Sequence, residues 1–324
     1  MAEQYDVVVV GGGPAGLTAA LTLARARRSV LVVDEGAPRN ASAGHVHNYL
    51  GRDGIPPGGL LAIGRTEVTS YGGEIVEGTV VSVQSLGGPQ DGGFRVTLAD
   101  DRIVRARRLL VATGLEDELP GVPGVAERWG RDVFYCPYCH GWEVRDQPIA
   151  VIGSGPFTVH HALLWRQWSA DVTFCRHTAP KLSGDEVEGL AARNITLVEG
   201  EVAALEATQD RLTGIRLRNG ESIRCHAVVV EPRFTARAAV LAHLGLEPAE
   251  RQIQGHFVGS SVPATLGGAT AVRGVWVAGN VADVRAQAIN AAAAGLDAAV
   301  AINGDLIAED VREAKAAYLS GTAR

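Results

Sequence analysis

The stretch that most constrains this chain is its beginning, YDVVVVGGGPAGLTAALTLARARRSVLVVDEG. Val7 to Val10 form an unbroken apolar run, the pattern of a strand covered on both faces. Gly11, Gly13 and Gly16 then spell G-x-G-x-x-G, with Pro14 and Ala15 inside the motif. Helical periodicity follows from Leu17 to Arg27, a second apolar run from Val30 to Val33, and then Asp34 and Glu35. Strand, glycine turn, helix, strand and acid in this order make a β-α-β dinucleotide cradle. The first glycine permits the tight turn and the second lets backbone approach a pyrophosphate. The third lets helix and strand pack, with the helix N-terminus facing the anion. The chain is thereby committed to a layered α/β fold with a parallel sheet.

A second unit of the same kind begins at QPIAVIGSGPFTVHHALLWRQWSADVTFCRH. Ile149 to Ile152 read as a strand, Gly153 and Gly155 give G-x-G, and a helix and a further strand, Val172 to Cys175, follow. Thr158 stands at the third glycine position, and the second strand ends in Arg176 and His177 with no acid. A tight ribose contact of the NAD type is therefore excluded. Arg176 and Lys181 offer a weak match to a 2′-phosphate, so an NADPH site and a Rossmann-like shell kept for structure both stand open. Between the two units, LLVATG reads as a strand ending at Ala112, Thr113 and Gly114, and a Pro/Gly-rich crossing follows. AVVVEPRFTAR reads as the return crossing, and GVWVAGN leads through Gly279 and Asn280 into a long alanine-rich helix. The expected architecture is two Rossmann-like three-layer domains, the second inserted into the first: residues 1–116 and 234–324 for one, 117–233 for the other.

Composition narrows the function classes. Forty glycines in 324 residues exceed the usual share of about 7%, and they fall in clusters that suit nucleotide-binding turns. A net charge of -6 argues against nucleic acid. The acidic start does not form an export signal, and no run approaches about 18 apolar residues. The expectation is a cytoplasmic protein without a membrane span. The tail from Asp305 to Arg324 reads as a helix with one charged face, either solvated or at a dimer contact.

FYCPYCHGWE, from Phe134 to Glu143, carries the chemistry. Zinc fails on ligand count: Cys136, Cys139 and His140 give at most three ligands from one turn, with no second pair at zinc spacing. No metal is expected. Four cysteines in a reducing compartment do not make a disulfide scaffold, and Cys175 and Cys225 read as buried small hydrophobes. A redox pair remains. A Cys at a helix start has a depressed pKa, and thiolate attack with resolution by the partner Cys is reversible disulfide exchange. An imidazole at His140 is suited to take the proton of an incoming thiol. His45 and His47, in a loop by composition, read as surface or structural. Trp165 and Trp168 read as core or interface packing.

VVVVGGGPAG, LLVATG, the C-x-x-C and GVWVAGNVAD…AQAIN together resemble the low-molecular-weight thioredoxin reductase family of flavoproteins, along nearly the whole chain. The resemblance implies FAD, held by Gly11, Gly13, Pro14, Ala15, Gly16, Asp34 and Glu35 at its pyrophosphate and ribose. Asn48 and Val80, with Ala112, Thr113 and Gly114, would line the cofactor. Gly279, Asn280, Gln287 and Ala288 would meet the ribityl chain and isoalloxazine. It implies a homodimer, with Cys139 meeting the flavin and Cys136 exchanging with substrate. The chain departs from the family pattern at His140 and Asn280, where Asp is usual, at Phe157-Thr158 in the second loop, and in its poor 2′-phosphate cluster. The CPYCHG form is similar to the dithiol oxidases of the gliotoxin and holomycin type, which close a disulfide in a small molecule with dioxygen as acceptor. The expected partner is a small dithiol or a thioredoxin-like protein. The alternatives are a thioredoxin reductase fed by NADPH or another donor such as ferredoxin, and a non-enzymatic thiol-switch sensor.

Overall fold

The structure is a computed structural model that describes residues 3–87 and 92–320. Cα proximity divides the chain into two units. One takes in the chain to Arg39, Gly58–Glu116 and the chain from Phe234; the other is Asn40–Pro57 with Asp117–Arg233. Segment 40–57, which the sequence reading leaves with the first unit, sits with the second. Its side chains bond to the C-x-x-C turn there, as described below.

The first unit opens with β1 (Gln4–Val10), α1 (Pro14–Arg25), β2 (Val30–Asp34), α2 (Pro57–Ser70), β3 (Glu74–Glu77), β4 (Val80–Ser85), β5 (Phe94–Leu98) and β6 (Ile103–Val111). They form a sheet in the order β3-β2-β1-β6-β5-β4, in which β1 pairs β2 and β6 in parallel. The valine run is apolar throughout because both faces are covered. Val7 and Val9 go to one core cluster with Leu23, while Val8 and Val10 go to the other with Leu109. Each such fully buried side chain is worth about 1.5–3 kcal/mol.

The chain leaves on β7 (Leu115–Glu118) and builds α3 (Val125–Arg128), β8 (Val133–Phe134), α4 (Pro137–His140), β9 (Ile149–Ile152), α5 (Thr158–Trp165), β10 (Val172–Cys175), α6 (Gly184–Ala192) and β11 (Thr196–Val198). Then come β12 (Val202–Thr208), β13 (Arg211–Leu217), β14 (Ser222–Arg224) and β15 (Ala227–Val229). A parallel sheet runs β11-β10-β9-β15-β8, and β12-β13-β14 is antiparallel. Trp165 is fully buried in this unit's core. Cys175 and Cys225 are buried free thiols, each pushed up to about 12 by burial, and so inert.

The chain returns through β16 (Arg233–Ala236), β17 (Ala249–Ile253), β18 (His256–Ser261) and β19 (Val275–Val277), and ends in α7 (Ala288–Leu319). β19 joins the first sheet in parallel with β6. Among the described residues α7 is the one helix long and apolar enough, by length and composition, to cross a membrane. The expectation that no stretch approaches such a span is corrected to that extent. Its hydropathy has a simpler source: Ala298, Ala299, Ile302 and Leu306 are buried in the first unit's core. At Gly295 a Cβ would stand 2.1 Å from the Ala15 carbonyl oxygen, so the two backbones touch. From residue 311 to 320 the tail is almost wholly exposed, as a solvated end would be, but its first acids are anchored inward. Asp310 pairs with Arg28 and Arg107, Asp305 lies 2.5 Å from Arg108, and Glu309 also pairs with Arg108. Residues 321–324 of the expected tail helix lie outside the described residues.

Candidate functional site

Two sites emerge, one in each unit. In the first unit, parallel strands β1, β6 and β19 end side by side, and the residues after them form the cradle. Gly11 has φ +106°, and a Cβ there would lie 2.5 Å from the Ala112 carbonyl oxygen. A Cβ at Gly16 would lie 1.9 Å from the Gly11 carbonyl oxygen, so the turn folds onto the helix only with glycine in both places. Gly13, by contrast, caps α1 with nothing within 4 Å of its Cβ position. Gly279 (φ +76°) brings the start of the last crossing against the Ala15 methyl, 3.0 Å from its own Cβ position. A helix N-terminus behind a glycine turn, open at Gly13 and closed at Gly11 and Gly16, fits a dinucleotide pyrophosphate.

The remaining expected cofactor residues of this unit are placed as follows. Asp34 accepts the Gly12 N–H at 3.0 Å and pairs with Arg65. Glu35 pairs with Arg237 at 2.8 Å. The Thr113 hydroxyl donates to the Arg237 carbonyl, and the Gly114 carbonyl accepts the Arg237 N–H at 3.1 Å. Asn280 donates its amide to the carbonyls of Asp283 and Ala286, at 3.0 and 2.9 Å. Gln287 caps α7 in a reciprocal box with Asn290, and Ala288 opens the helix. Pro14 is the first helical residue of α1. Val80 opens β4 and packs against the core cluster containing Val83.

In the second unit Cys136 and Cys139 form a disulfide, with Cα atoms 5.3 Å apart. Cys136 is the N-cap of α4, Pro137 is its first residue, and the Cys139 N–H donates to the Cys136 carbonyl at 3.2 Å. Proline suits this position because its fixed φ is already helical and the first N–H has no partner to lose. Gly141 closes the turn under Trp168, whose ring would lie 2.9 Å from a Cβ there, and Tyr138 meets Trp168 edge-on at 5.5 Å. The His140 imidazole stacks on Phe134 with centroids 4.7 Å apart. Burial draws its pKa below the ordinary imidazole value, with Glu143 pulling the other way and His47 adding to the depression. The ring is therefore neutral at pH 7.

Segment 40–57 buttresses this turn. Asn48, at φ +60°, donates its amide to the Tyr138 carbonyl at 2.7 Å, and its backbone N–H donates to Asp53 at 2.8 Å. That backbone bond, then His47, holds the Asp53 carboxyl below its ordinary range. His47 stands between two carboxylates, Nδ1 3.2 Å from Asp53 and Nε2 3.3 Å from Glu143. The second approach lacks hydrogen-bond alignment, and Nε2 is buried without a hydrogen-bond partner. The sequence reading takes His47 as surface or structural and gives Glu143, at the end of FYCPYCHGWE, no role, because spacing along the chain does not show that the two meet. Spacing brings Cys136, Cys139 and His140 together, whereas only the fold adds Asn48, His47 and Glu143. Among the described residues no group of three or more metal-ligating side chains is assembled.

The sequence profile of the pyridine nucleotide-disulphide oxidoreductases matches residues 5–295. The chain is 28% identical to thioredoxin reductase sirT of Leptosphaeria maculans over 320 residues, 95% of this chain and 96% of that protein. It is 31% identical to the thioredoxin reductase of Streptomyces coelicolor over 317 residues, 93% of each chain. The crystal structure of HlmI superposes with a TM-score of 0.90 at 45% identity, covering 97% of this chain and 96% of that one. Against two other fungal relatives the match spans only 38% and 49% of their length.

Proposed function

We propose that this chain, which belongs to the pyridine nucleotide-disulphide oxidoreductase family, oxidises a small-molecule dithiol to its intramolecular disulfide, with dioxygen as terminal acceptor. FAD is the cofactor of the family. Gly11, Gly13 and Gly16, with the neighbouring ends at Ala112 and Gly279, are the residues that would hold it. When bound it supplies a two-electron acceptor for restoring the Cys136–Cys139 disulfide. The remaining steps belong to the chain's own residues. His140 takes the proton of a substrate thiol, and the thiolate attacks Cys136, releasing Cys139 as thiolate. The second substrate thiol gives its proton to the released Cys139 thiolate and its sulfur attacks the substrate sulfur of the mixed disulfide, releasing Cys136, which takes up the proton held by His140. The substrate leaves as a disulfide, and the protein pair is left as a dithiol two electrons richer.

One observation carries the direction. The residue directly after Cys139 is an imidazole whose pKa burial lowers while Glu143 favours its charged form, so the neutral, proton-accepting ring predominates at pH 7 beside a carboxylate that stabilises it once protonated. The exposed apolar side chains of the same unit, Leu50, Tyr138 and Trp142, suit a small apolar substrate. A chain of this family could instead pass electrons to a thioredoxin-like protein, and the names of its relatives favour that second reading. The two are separated anaerobically by the flavin absorbance. Bleaching by a small dithiol, and not by NADPH, is expected; rapid bleaching by NADPH would sink the oxidase reading. Cys136→Ser should lose at least about a thousandfold in dithiol turnover while keeping its flavin.

A further inference from the structure

The second glycine loop, Gly153 to Thr158, has the backbone course of a nucleotide cradle but a different occupant. Glu231 lies two residues beyond β15, which runs parallel to β9 with Val229 beside Val151. Its side chain reaches into the loop. Glu231 Oε2 is 2.7 Å from where a Cβ at Gly155 would stand, and the Phe157 N–H donates to the carboxylate. Oε2 is buried and has no hydrogen-bond partner. Burial raises the carboxyl to about 7. Beside the same loop, where the Thr178 and Ala179 N–H groups donate to the Gly153 carbonyl, the cationic side of the expected 2′-phosphate site is also spent internally. Arg176 donates to Glu199 at 2.5 Å and to the Ala179 carbonyl at 3.1 Å. His177 Nδ1 accepts the Val202 N–H at 3.0 Å.

A G-x-G loop binds a dinucleotide because its second glycine leaves room for the pyrophosphate to reach backbone N–H groups at the helix start. Here that room holds the Glu231 carboxyl, which takes one of those N–H groups and, where ionised, repels a second anion. The residues present therefore do not fit NADH or NADPH. We propose that Glu231 is a specificity-determining residue whose side chain, filling the turn at Gly155 and holding the Phe157 N–H, bars pyridine dinucleotides from the second unit, with Glu199 withholding Arg176 from a 2′-phosphate.

This goes beyond the dithiol chemistry, and its test needs no turnover. Binding of NADPH and NADH to the oxidised, flavin-loaded protein would be measured by calorimetry for wild type, Glu231→Gln and Glu231→Gly. Melting curves and flavin content would establish that each is folded. Glu231→Gln keeps the shape and removes the charge, so a fold defect in the glycine variant leaves the test intact. At a pH of about 8, above the range in which Glu231 titrates, the expected result is a gain in NADPH affinity of at least about tenfold in Glu231→Gln, and more in Glu231→Gly. Folded variants that bind no more tightly than wild type would overturn the proposal, whatever the protein does with dithiols.

Discussion

The two glycine loops share a strand–turn–helix course and differ in what they leave open. In the first, an acid at the end of β2 turns its carboxylate onto Gly12 and Arg65, beside the turn, and Gly13 faces open space. In the second, the acid comes from a different strand and turns into the turn itself at Gly155. α1 runs 12 residues behind the first loop, and α5 only 8 behind the second. A Rossmann-like course thus guarantees a concave turn at a helix start, but not an anion site. A single intruding carboxylate decides the second question.

The sharpest way to break the comparison is to add a side chain to each loop. Gly16→Val should cost well over about 3 kcal/mol and abolish the flavin-loaded protein, because the added atoms meet the fixed Gly11 carbonyl. Gly155→Ala meets only the movable end of Glu231 and should cost less than about 1 kcal/mol. Denaturant melts and released flavin measure both, and equal effects would mean the loops do not differ as described.

A smaller effect is expected at the redox turn. His140→Gln should lower kcat/KM for dithiol oxidation by about a hundredfold. It should also erase the acid limb of the pH profile, which lies below pH 6.5 because burial lowers the imidazole. A variant that lost rate but kept the limb would assign the limb to another group.

The smallest effect is in stability. The Glu231 carboxyl titrates at about 7 in the folded protein against an ordinary 4.5. The folded state therefore holds more protons between those values, and stability falls as pH rises through them. Glu231→Gln should melt higher than wild type above pH 7, by about 1 kcal/mol once water screening of this partly exposed group is allowed for, with the gain shrinking below pH 4.5. A gain independent of pH would trace to packing instead.

Much of this was legible in the chain. The valine run, the glycine spacing and the C-x-x-C-H each follow from local chemistry, and the structure puts them on β1, the α1 turn and α4. The tail helix was legible as a helix, but its acids turned out to be anchored on Arg107 and Arg108, because a helical period says which residues share a face and not what faces them. In segment 40–57 the resemblance matches Asn48 to a cofactor-lining position, but nothing local to the segment places Asn48 or His47 against the C-x-x-C turn.

The sequence by itself determined two nucleotide-type α/β units and a redox cysteine pair followed by an imidazole, because backbone sterics, hydrophobic period and thiol chemistry are local properties. Tertiary structure alone decided that the His140 ring stacks half-buried on Phe134, which lowers its pKa, and that Glu231 lies in the second loop. The first depends on how the turn after β8 folds α4 back onto Phe134, the second on a side chain brought from the end of β15 to the loop after β9, and burial or anion placement is a property of those meetings.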